Sequence, residues 1–353
     1  CPCGLHPCIW LGSHCVFSFL QWEDLSGLRE IGKMLIKLRI KRCTPLGSEC
    51  AEDYYQAYTV DAHPGMTVLD ALIRIFDEQD ASLGFRRSCR SAICGSCAMN
   101  INGSAKLACS TQIIAEYEKA GGLTLEPLAN HTPLKDLIVD FNPFWQKMEK
   151  IRPYLKPCSM VEGKALVISK GDLKRIDKAQ SCIMCGSCNA ECSSFESDDR
   201  FTGPAALAKA WRFVGDVREA GGRGRLGRLS DDHGVWDCVR CVRCTQICPK
   251  DVDPLKAIEQ LRERAIEEGI TDNPGARHAL SMAASVRRVG LLDEATMTLK
   301  TLGFLRSLGM IPFGLKMEMH GKMPMPMIFS QIAQIDEVRA IYDECERLKP
   351  KKG

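Results

Sequence analysis

Cysteine is the residue type through which this chain could do chemistry, and its spacing is strongly patterned. Of 20 cysteines, twelve fall into three clusters. The first cluster reads C-x4-C-x2-C with one further cysteine after it: Cys89, Cys94, Cys97 and Cys109. The other two share the spacing C-x2-C-x2-C-x3-C: Cys182, Cys185, Cys188 and Cys192, then Cys238, Cys241, Cys244 and Cys248 before Pro249. Thiols spaced this closely on a tightly turning chain can converge on a metal centre.

Three chemistries compete for these clusters. Cysteines separated by only two residues in a tight loop suit a shared metal better than the geometry of an S–S bond. Zinc sites of this type use two C-x2-C pairs, whereas each of these runs continues to a third and a fourth cysteine. The run ending in C-P is the bacterial ferredoxin signature, and C-x4-C-x2-C with a distant fourth cysteine is the plant-type 2Fe-2S signature. Both patterns in one chain favour iron-sulfur clusters.

The spacing also predicts which cysteines share a cluster. In two-cluster ferredoxins the fourth cysteine of each run binds the other cluster. The expected 2Fe-2S ligands are Cys89, Cys94, Cys97 and Cys109, and the expected first 4Fe-4S ligands are Cys182, Cys185, Cys188 and Cys248. The second 4Fe-4S set is Cys192, Cys238, Cys241 and Cys244, or a 3Fe-4S set without Cys241. Between ligands stand small residues, Gly95, Ser96, Gly186 and Ser187, which let backbone amides approach cluster sulfur.

Eight cysteines follow no ligand pattern. They are Cys1, Cys3, Cys8, Cys15, Cys43, Cys50, Cys158 and Cys345. We expect ordinary buried or surface thiols at most of these positions, because cysteine behaves as a small apolar residue unless its reactivity is used.

The composition excludes several functional classes. With 47 Lys+Arg against 44 Asp+Glu, the formal charge of +3 is too small for a nucleic-acid surface. No run of 18 apolar residues occurs, so no helix is expected to span a bilayer by itself, and membrane contact would be peripheral. A chain of 353 residues with 45% hydrophobic residues is expected to form two or three domains with real cores.

The elements around the first cluster alternate between strands and one helix. Three segments carry these signals: a period-2 strand pattern from Met34 to Ile40, a second strand from Tyr54 to Val60, and a helix that begins at Thr67-x-x-Asp70 and runs to Phe76. A hairpin through Asn102-Gly103 is expected to return Cys109 to the other three thiols. We predict an α+β plant-type 2Fe-2S ferredoxin-like (β-grasp) domain over residues 34–140.

Helix signals dominate the rest of the chain. Pro143, Pro153 and Pro157 mark a linker. Helices are expected over Ala205–Phe213, over Pro254–Glu268 with Asp253 as cap, and beyond Asn273, whereas Gly221–Gly227 predicts an exposed loop. These signals predict an all-α bacterial-ferredoxin-like domain with two cubane-type clusters over residues 141–261 and a helical C-terminal extension over residues 262–353.

Two further segments have no place in that scheme. Residues 1–33 are an unassigned N-terminal extension that need not be native, and Met34 is a candidate start. A rival interpretation attaches lipid to Cys1. Residues 303–327 carry Met310, Met317, Met319, Met323, Met325 and Met327. Such a segment is either an adaptable partner surface whose Lys316 and Lys322 meet lipid phosphates, or an irregular core segment.

The sequence from Ser88 through Gly103, together with Leu107-Ala108-Cys109, closely resembles the iron-sulfur subunit of succinate dehydrogenase and fumarate reductase. Further matching stretches are Leu137–Asp140, Ile151–Leu155, Phe201–Ala205 and Cys248–Lys250 running into Pro254–Ile258. The resemblance covers about Met34 to Leu261. It implies an oxidoreductase subunit that passes single electrons between the FAD of a flavoprotein subunit and a membrane partner with its quinone pool. The 2Fe-2S cluster would lie nearest the flavin, and this chain would hold no FAD, no dicarboxylate site and no catalytic residue.

Two departures from that family pattern concern the last cluster. Typical members lack a cysteine at the position of Cys241 and hold a 3Fe-4S cluster there, so a complete 4Fe-4S cluster of lower potential is expected here. They also place a histidine where this chain has Val239, and a proline and tryptophans where it has Ser193–Ser197. The usual quinone pocket is therefore not expected.

A second, less specific resemblance concerns the C-terminal region. Gly275–Ser281, Leu292–Ala295 and Ile335–Arg339 are similar to the small ferredoxin-like subunit of heterodisulfide reductase. This similarity implies a cysteine-rich heterodisulfide-reductase-like partner in place of the usual membrane anchor.

The alternative function is therefore a subunit that exchanges electrons with thiols or disulfides. A non-redox scaffold holding structural zinc is a third hypothesis, and it predicts a colourless protein. For the favoured function we expect a peripheral complex on the cytoplasmic side of the membrane, with no nucleic-acid partner. Arg86, Arg87, Arg90, Arg240 and Arg243 lie beside ligands, where they either offset cluster charge, meet an acidic partner or remain solvated.

Overall fold

The computed structural model of the protein describes residues 34–46, 49–158, 165–231, 233–322 and 331–348. The N-terminal extension, with Cys1, Cys3, Cys8 and Cys15, lies outside the described residues. So do Met323, Met325 and Met327 of the methionine-rich segment.

The first part of the chain is a mixed sheet with two helices. In chain order its elements are β1 (Met34–Leu46), β2 (Glu49–Ala62), α1 (Val68–Glu78), β3 (Ala98–Ile101), β4 (Ser104–Leu107), α2 (Ile113–Ala120), β5 (Leu123–Glu126), β6 (Pro133–Lys135) and β7 (Ile138–Val139). The main sheet has the strand order β2-β1-β5-β3-β4. Strands β1 and β5 are parallel, and the other three pairs of neighbouring strands are antiparallel. The predicted strands, helix and hairpin are confirmed.

Helix α1 begins where the sequence predicts, because Thr67 and Asp70 form a capping box. The Thr67 hydroxyl accepts a hydrogen bond from the Asp70 backbone N–H at 3.2 Å, and the Asp70 carboxylate accepts one from the Thr67 N–H at 3.0 Å. The buried face of α1, with Leu72 and Ile75, belongs to one core with Leu38 of β1. This packing fixes the end of α1, where the loop that carries the first cysteine cluster begins.

A buried ion pair holds the start of that loop to the sheet. The Arg42 guanidinium donates to the Asp136 carboxylate at 2.9 Å, and both side chains are almost fully buried. Asp136 also accepts from the backbone N–H groups of Cys43 at 2.9 Å and Gly84 at 2.7 Å. Since Gly84 lies just before the cysteine loop, Asp136 ties that loop to β1.

The rest of the described chain is helical. Its elements are α3 (Asn142–Lys150), α4 (Lys170–Gln180), α5 (Ser187–Ala190), α6 (Ser193–Ser197), α7 (Pro204–Val214), α8 (Gly222–Leu229), a 3-10 turn (Val235–Asp237), α9 (Arg243–Gln246), α10 (Pro254–Glu267), α11 (Pro274–Val289), α12 (Glu294–Leu302), α13 (Phe304–Leu308), α14 (Ile311–Met319) and α15 (Ile335–Arg347). Helices α7 and α10 pack together in a second core around Leu207 and Leu261. Asp253 caps α10 and Asn273 caps α11, so the predicted helices here are confirmed.

Three local expectations differ from the structure. The stretch Gly221–Gly227 is not an exposed loop, because it forms most of α8 and buries Arg225. Pro143 does not lie in a linker, because it occupies the first turn of α3, where its missing N–H costs nothing. Cys43 is disulfide-bonded and not a free thiol.

The irregular core proposed for residues 303–327 is also wrong for its described part. Helices α13 and α14 bury none of their residues. Within the described parts of the chain, no helix combines the length and the apolar character needed to cross a bilayer.

Candidate metal centres

The first cysteine cluster, here called the N-terminal quartet, consists of Cys89, Cys94, Cys97 and Cys109. Three thiols lie on the loop between α1 and β3, and the β3–β4 hairpin returns Cys109 beside them. Backbone amides point at the sulfurs. The Cys89 Sγ accepts from the N–H groups of Ser91 at 3.4 Å and of Ile93 and Cys94 at 3.3 Å. The Cys109 Sγ accepts from the Ala92 N–H at 3.2 Å.

The conformation of this loop explains how so many amides face inward. Arg90, Ala92 and Gly95 have φ values of 56°, 55° and 74°. This left-handed region is unfavourable for residues with a Cβ, so the loop accepts local strain at Arg90 and Ala92 in order to turn its N–H groups towards sulfur. The converging amides, that of Ser91 above all, lower the pKa of Cys89 to about 6. Burial instead raises the pKa of Cys97 to about 12.

The second group, the inner quartet, consists of Cys182, Cys185, Cys188 and Cys248. These four thiols line one small cavity whose other walls include Ala205, Ala208 and Val252. The structure thus places Cys248, from the third run, with three cysteines of the second run that lie 60 or more positions earlier. Burial raises the pKa of Cys188 well above its ordinary value. Burial also raises the pKa of Cys182, although the nearby Lys209 ammonium partly lowers it.

The third group, the outer quartet, consists of Cys192, Cys238, Cys241 and Cys244. They line a second small cavity together with Phe201, Pro204, Leu255 and Ile258. Burial raises the pKa of Cys244 to about 12 and raises that of Cys192. Cys241 differs from its neighbours because its side chain is exposed.

The donor sets suit iron-sulfur clusters. All twelve clustered cysteines are free thiols. Within the described ranges, no three Cys, His, Asp or Glu side chains converge closely enough to hold a single metal ion. A cluster of several irons requires thiols distributed around a hollow, and the inner and outer quartets each line one. Buried thiols with raised pKa values are protonated and inert by themselves, and bound iron is the charge that would deprotonate them.

The three quartets adjoin one another in series. A Cβ built on Gly95, in the N-terminal loop, would lie only 2.9 Å from the Cys185 Cβ of the inner quartet. The inner Cys188 interacts electrostatically with the outer Cys244 as well as with its own quartet. The order is therefore N-terminal, inner, outer.

Several polar residues that the sequence reasoning missed hold the quartets in place. The Asn130 side-chain amide donates to the Asn189 and Ala190 carbonyls, both at 3.1 Å, and thereby joins the sheet domain to α5. The buried Asn189 side chain accepts from the Ala205 N–H at 3.2 Å at the start of α7. Arg262 donates to the Cys238 carbonyl at 2.7 Å. Only Asn189 carried a signal in the sequence, since it stands inside a cysteine run.

The arginines beside the ligands are individually positioned. The Arg86 guanidinium lies 5.4 Å from the centre of the Phe141 ring, and that of Arg87 lies 5.3 Å from the Phe76 ring. Arg243 forms an ion pair with Glu191, whose carboxylate also accepts from the Ala105 N–H of β4. Arg86, Arg87 and Arg243 therefore each have a partner within the chain, although Arg87 is exposed and the Arg243 side chain is 55% exposed.

An open cavity of about 900 Å³ lies beside the outer quartet, between the 3-10 turn and α11. Cys238 and Val239 form part of its wall. Three of its lining residues have a buried polar atom without a hydrogen-bond partner among the described residues: Trp236 Nε1, Ser230 Oγ and Thr301 Oγ1.

Two family models match the chain. The model described as a 2Fe-2S iron-sulfur cluster binding domain matches residues 37–146, and the model described as a 4Fe-4S dicluster domain matches residues 178–252. The first range contains the N-terminal quartet, and the second contains both other quartets.

Characterised proteins align over longer stretches. The chain is 34% identical over 260 residues to the 8-methylmenaquinol:fumarate reductase iron-sulfur subunit of Wolinella succinogenes, covering 71% of this chain and 81% of that protein. It is 37% identical over 214 residues to the mitochondrial succinate dehydrogenase [ubiquinone] iron-sulfur subunit of Candida glabrata, covering 60% of this chain and 84% of that protein. Among solved structures, a chain of the apo Sdh1 complex of Mycobacterium smegmatis superposes with a TM-score of 0.62 at 23% identity, over 68% of this chain and 99% of that one.

Proposed function

Because this chain belongs to the family of iron-sulfur subunits of succinate dehydrogenases and fumarate reductases, we propose that it carries single electrons between a flavoprotein and a membrane partner. It is the electron-transfer subunit of an oxidoreductase complex and holds 2Fe-2S and 4Fe-4S clusters. The FAD belongs to the flavoprotein partner. The membrane partner exchanges the electrons with the quinone pool.

The observation that carries this proposal is the series of three adjoining quartets. We assign the N-terminal quartet to a 2Fe-2S cluster, and the inner and outer quartets each to a 4Fe-4S cluster. When bound, such clusters accept and release one electron at a time. The chain contributes the thiol ligands, amide N–H groups directed at sulfur and apolar walls that exclude water, and these are the features by which a protein sets cluster potential.

Each end of the series has exposed apolar side chains suited to docking. Ile93, in the N-terminal loop, is 62% exposed, and we place the flavoprotein there. At the outer quartet Val239 is 66% exposed and Val242 is 41% exposed beside the exposed thiol of Cys241. We place the acceptor partner against this second surface and against the cavity next to Cys238.

The proposal extends to the finer architecture. Residues 34–140 would be a plant-type β-grasp domain, residues 141–261 an all-α bacterial-ferredoxin-like domain and residues 262–353 a C-terminal extension.

A cysteine-rich heterodisulfide-reductase-like subunit is proposed as the acceptor. Two features support this choice: Val239 stands in place of the family histidine, and the outer quartet has four thiols. Placement on the cytoplasmic side is proposed because all twelve clustered cysteines are free, as they are where thiols stay reduced; the disulfide at Cys43 lies outside the quartets. The relatives do not favour the alternative function in thiol or disulfide exchange.

The decisive experiment replaces the exposed ligand of the outer quartet. Cys241→Ser in anaerobically purified protein is expected to lose about one iron per chain and to gain the EPR signal of an oxidised 3Fe-4S cluster, because three thiols hold three irons. Iron and sulfide are counted alongside the spectra.

Cys345→Ser is the matched control. It removes another exposed thiol that belongs to no quartet, and it should change neither the iron count nor the spectra. If fully loaded wild-type protein already shows a strong oxidised 3Fe-4S signal, Cys241 is not a ligand and the assignment of the outer quartet is wrong.

A further inference from the structure

Helices α12, α13 and α14 present an unusually apolar surface to solvent. Phe304, Leu305, Phe313 and Met319 are 68%, 82%, 57% and 79% exposed. Between these helices lies an open cavity of about 630 Å³ whose lining is mainly Met, Leu, Ile and Phe. A water-facing helix normally turns its apolar side inward, and contiguous apolar surface of this kind marks an interaction site.

Basic residues are interspersed with these apolar residues along the chain. From Glu294, the first residue of α12, to Lys322 the sequence contains two acidic residues, Glu294 and Glu318, and four basic residues: Lys300, Arg306, Lys316 and Lys322. All four cations are exposed, and none forms an ion pair with a described residue. Helix α15, which also packs on α11, is different, because its 13 residues include five acidic ones. The positive charge is therefore concentrated where the apolar side chains are exposed.

We propose that this surface, the α12–α14 face, binds directly to an anionic lipid bilayer. Exposed Phe, Leu and Met side chains would enter the boundary between headgroups and acyl chains, while the four cations would meet lipid phosphates, as in helices that lie in the plane of a membrane. The helices contain nine, five and nine residues, too few for a transmembrane span. They lie on the membrane and do not cross it.

A lipid surface fits this face better than a second copy of the chain does. Two copies meeting through the α12–α14 face would bring four cations of each against those of the other, which is unfavourable. An apolar protein surface would satisfy the phenylalanines and leucines but leave the cations without partners. Anionic lipids supply both complements in one surface.

The α12–α14 face is connected to the outer quartet through helix α11. Gly275, in the first turn of α11, packs closely against Trp236 beside the outer quartet, and α11 in turn packs on α12. Helix α11 thus connects the α12–α14 face to the wall of the outer quartet. The inference extends the proposed function but does not rest on it, because lipid binding is measured without any electron transfer.

The test is flotation of the full chain, with its clusters loaded, on two kinds of vesicle. We expect binding to vesicles of phosphatidylcholine mixed with phosphatidylglycerol. Binding to vesicles of phosphatidylcholine alone should be weaker by at least about tenfold. High salt should weaken the first and leave the second almost unchanged, because salt screens the exposed charges.

Two sets of variants separate the apolar from the charged contribution. The double variant Leu305→Ser/Phe313→Ser should lose binding to both kinds of vesicle, and Lys316→Gln/Lys322→Gln should lose only the preference for anionic lipid. Val167→Ser is the matched control, because Val167 is 84% exposed elsewhere on the chain. Unchanged circular dichroism and visible absorption verify that each variant is folded and loaded.

Three results would overturn the inference. One is a folded, loaded wild-type chain that does not float with anionic vesicles. Another is binding that Val167→Ser weakens as much as the double variant does. The third is a wild-type chain that sediments as a dimer, becomes a monomer in the double variant and ignores vesicles, which would assign the face to self-association.

Discussion

Gly95 is the residue at which the N-terminal loop meets the inner quartet. Its φ of 74° lies in the left-handed region, and a Cβ there would stand 2.9 Å from the Cys185 Cβ and 3.1 Å from the Ile183 carbonyl oxygen. Two constraints therefore act on one position: the backbone conformation and the space available. The spacing of the motif shows that a small residue is needed, and the structure shows which contact requires it.

Gly95→Ala is expected to destabilise the protein and to reduce cluster content, because the new methyl group forces apart two quartets that must adjoin. Gly103→Ala is the matched control. Gly103 has a φ of 75°, and no atom lies within 4 Å of its added Cβ, so it carries only the conformational cost of about 1 kcal/mol. The free energy of unfolding and the iron and sulfide per chain should fall further for Gly95→Ala. Equal losses in the two variants would show that the contact with Cys185 is unimportant.

At the scale of the element, helix α8 shows why composition alone misleads. Its sequence is rich in glycine and arginine, which is typical of an exposed loop. The Arg225 side chain is nevertheless buried and donates to the carbonyls of Ile151, Arg152 and Tyr154, and to the Glu219 carboxylate at 3.2 Å. One guanidinium thus ties α8 to three carbonyls of the segment that follows α3.

Arg225→Met should lower the free energy of unfolding by about 3 to 5 kcal/mol, since it leaves the buried carboxylate of Glu219 without a cation. Arg223→Met is the control on the same helix. The Arg223 side chain is 66% exposed, and its pairing with Glu268 contributes little. Anaerobic denaturant titrations of the loaded proteins would measure both changes. A loss below about 1 kcal/mol in Arg225→Met would contradict the role assigned to Arg225.

At the scale of the whole molecule, a sheet domain and a helical domain are joined where the metal centres lie. Asn130 and Glu191 make hydrogen bonds across this junction, and Gly95 approaches Cys185 at the same place. The ligand loops are therefore also the contact between domains. Loss of any cluster is expected to loosen the association of the two halves.

Stability in acid should depend on buried ion pairs such as that of Asp216. Its side chain is fully buried and accepts from Arg212 and Arg218, each at 2.7 Å, and the hydrogen bond from Arg218 is the main cause of the lowered pKa of Asp216. A lowered folded-state pKa gives stability that is present above the ordinary carboxyl pKa of about 3.9 and is lost as the pH falls towards the folded value. This contribution should be complete above about pH 5.

Asp216→Asn should therefore lower the free energy of unfolding by about 2 kcal/mol at neutral pH and by progressively less below about pH 4. Asp198→Asn is the comparison, because Asp198 also has a lowered pKa, about 2, owing to Arg200, but is one-third exposed. Its effect should be much smaller at every pH. The difference between wild type and variant, followed by circular dichroism from pH 7 to pH 3, checks both. A difference that grows as the pH falls would have the wrong sign.

Much of the candidate site and of the fold around it could be predicted from sequence, because the determinants are local. The cysteine spacing, the capping box at Thr67 and Asp70, the turn at Asn102-Gly103 and the cap at Asp253 each involve residues within a few positions of one another. Backbone geometry over such short distances is nearly fixed by residue type.

The tertiary structure decided what depends on partners distant in the chain. Arg225 is buried because it meets carbonyls more than 70 positions earlier, and no local pattern specifies that meeting. The methionine-rich helices are exposed because no other described element covers them, although their composition equally suited a core. Burial is a property of the whole packing arrangement, whereas ligand spacing, caps and turns are properties of the local chain.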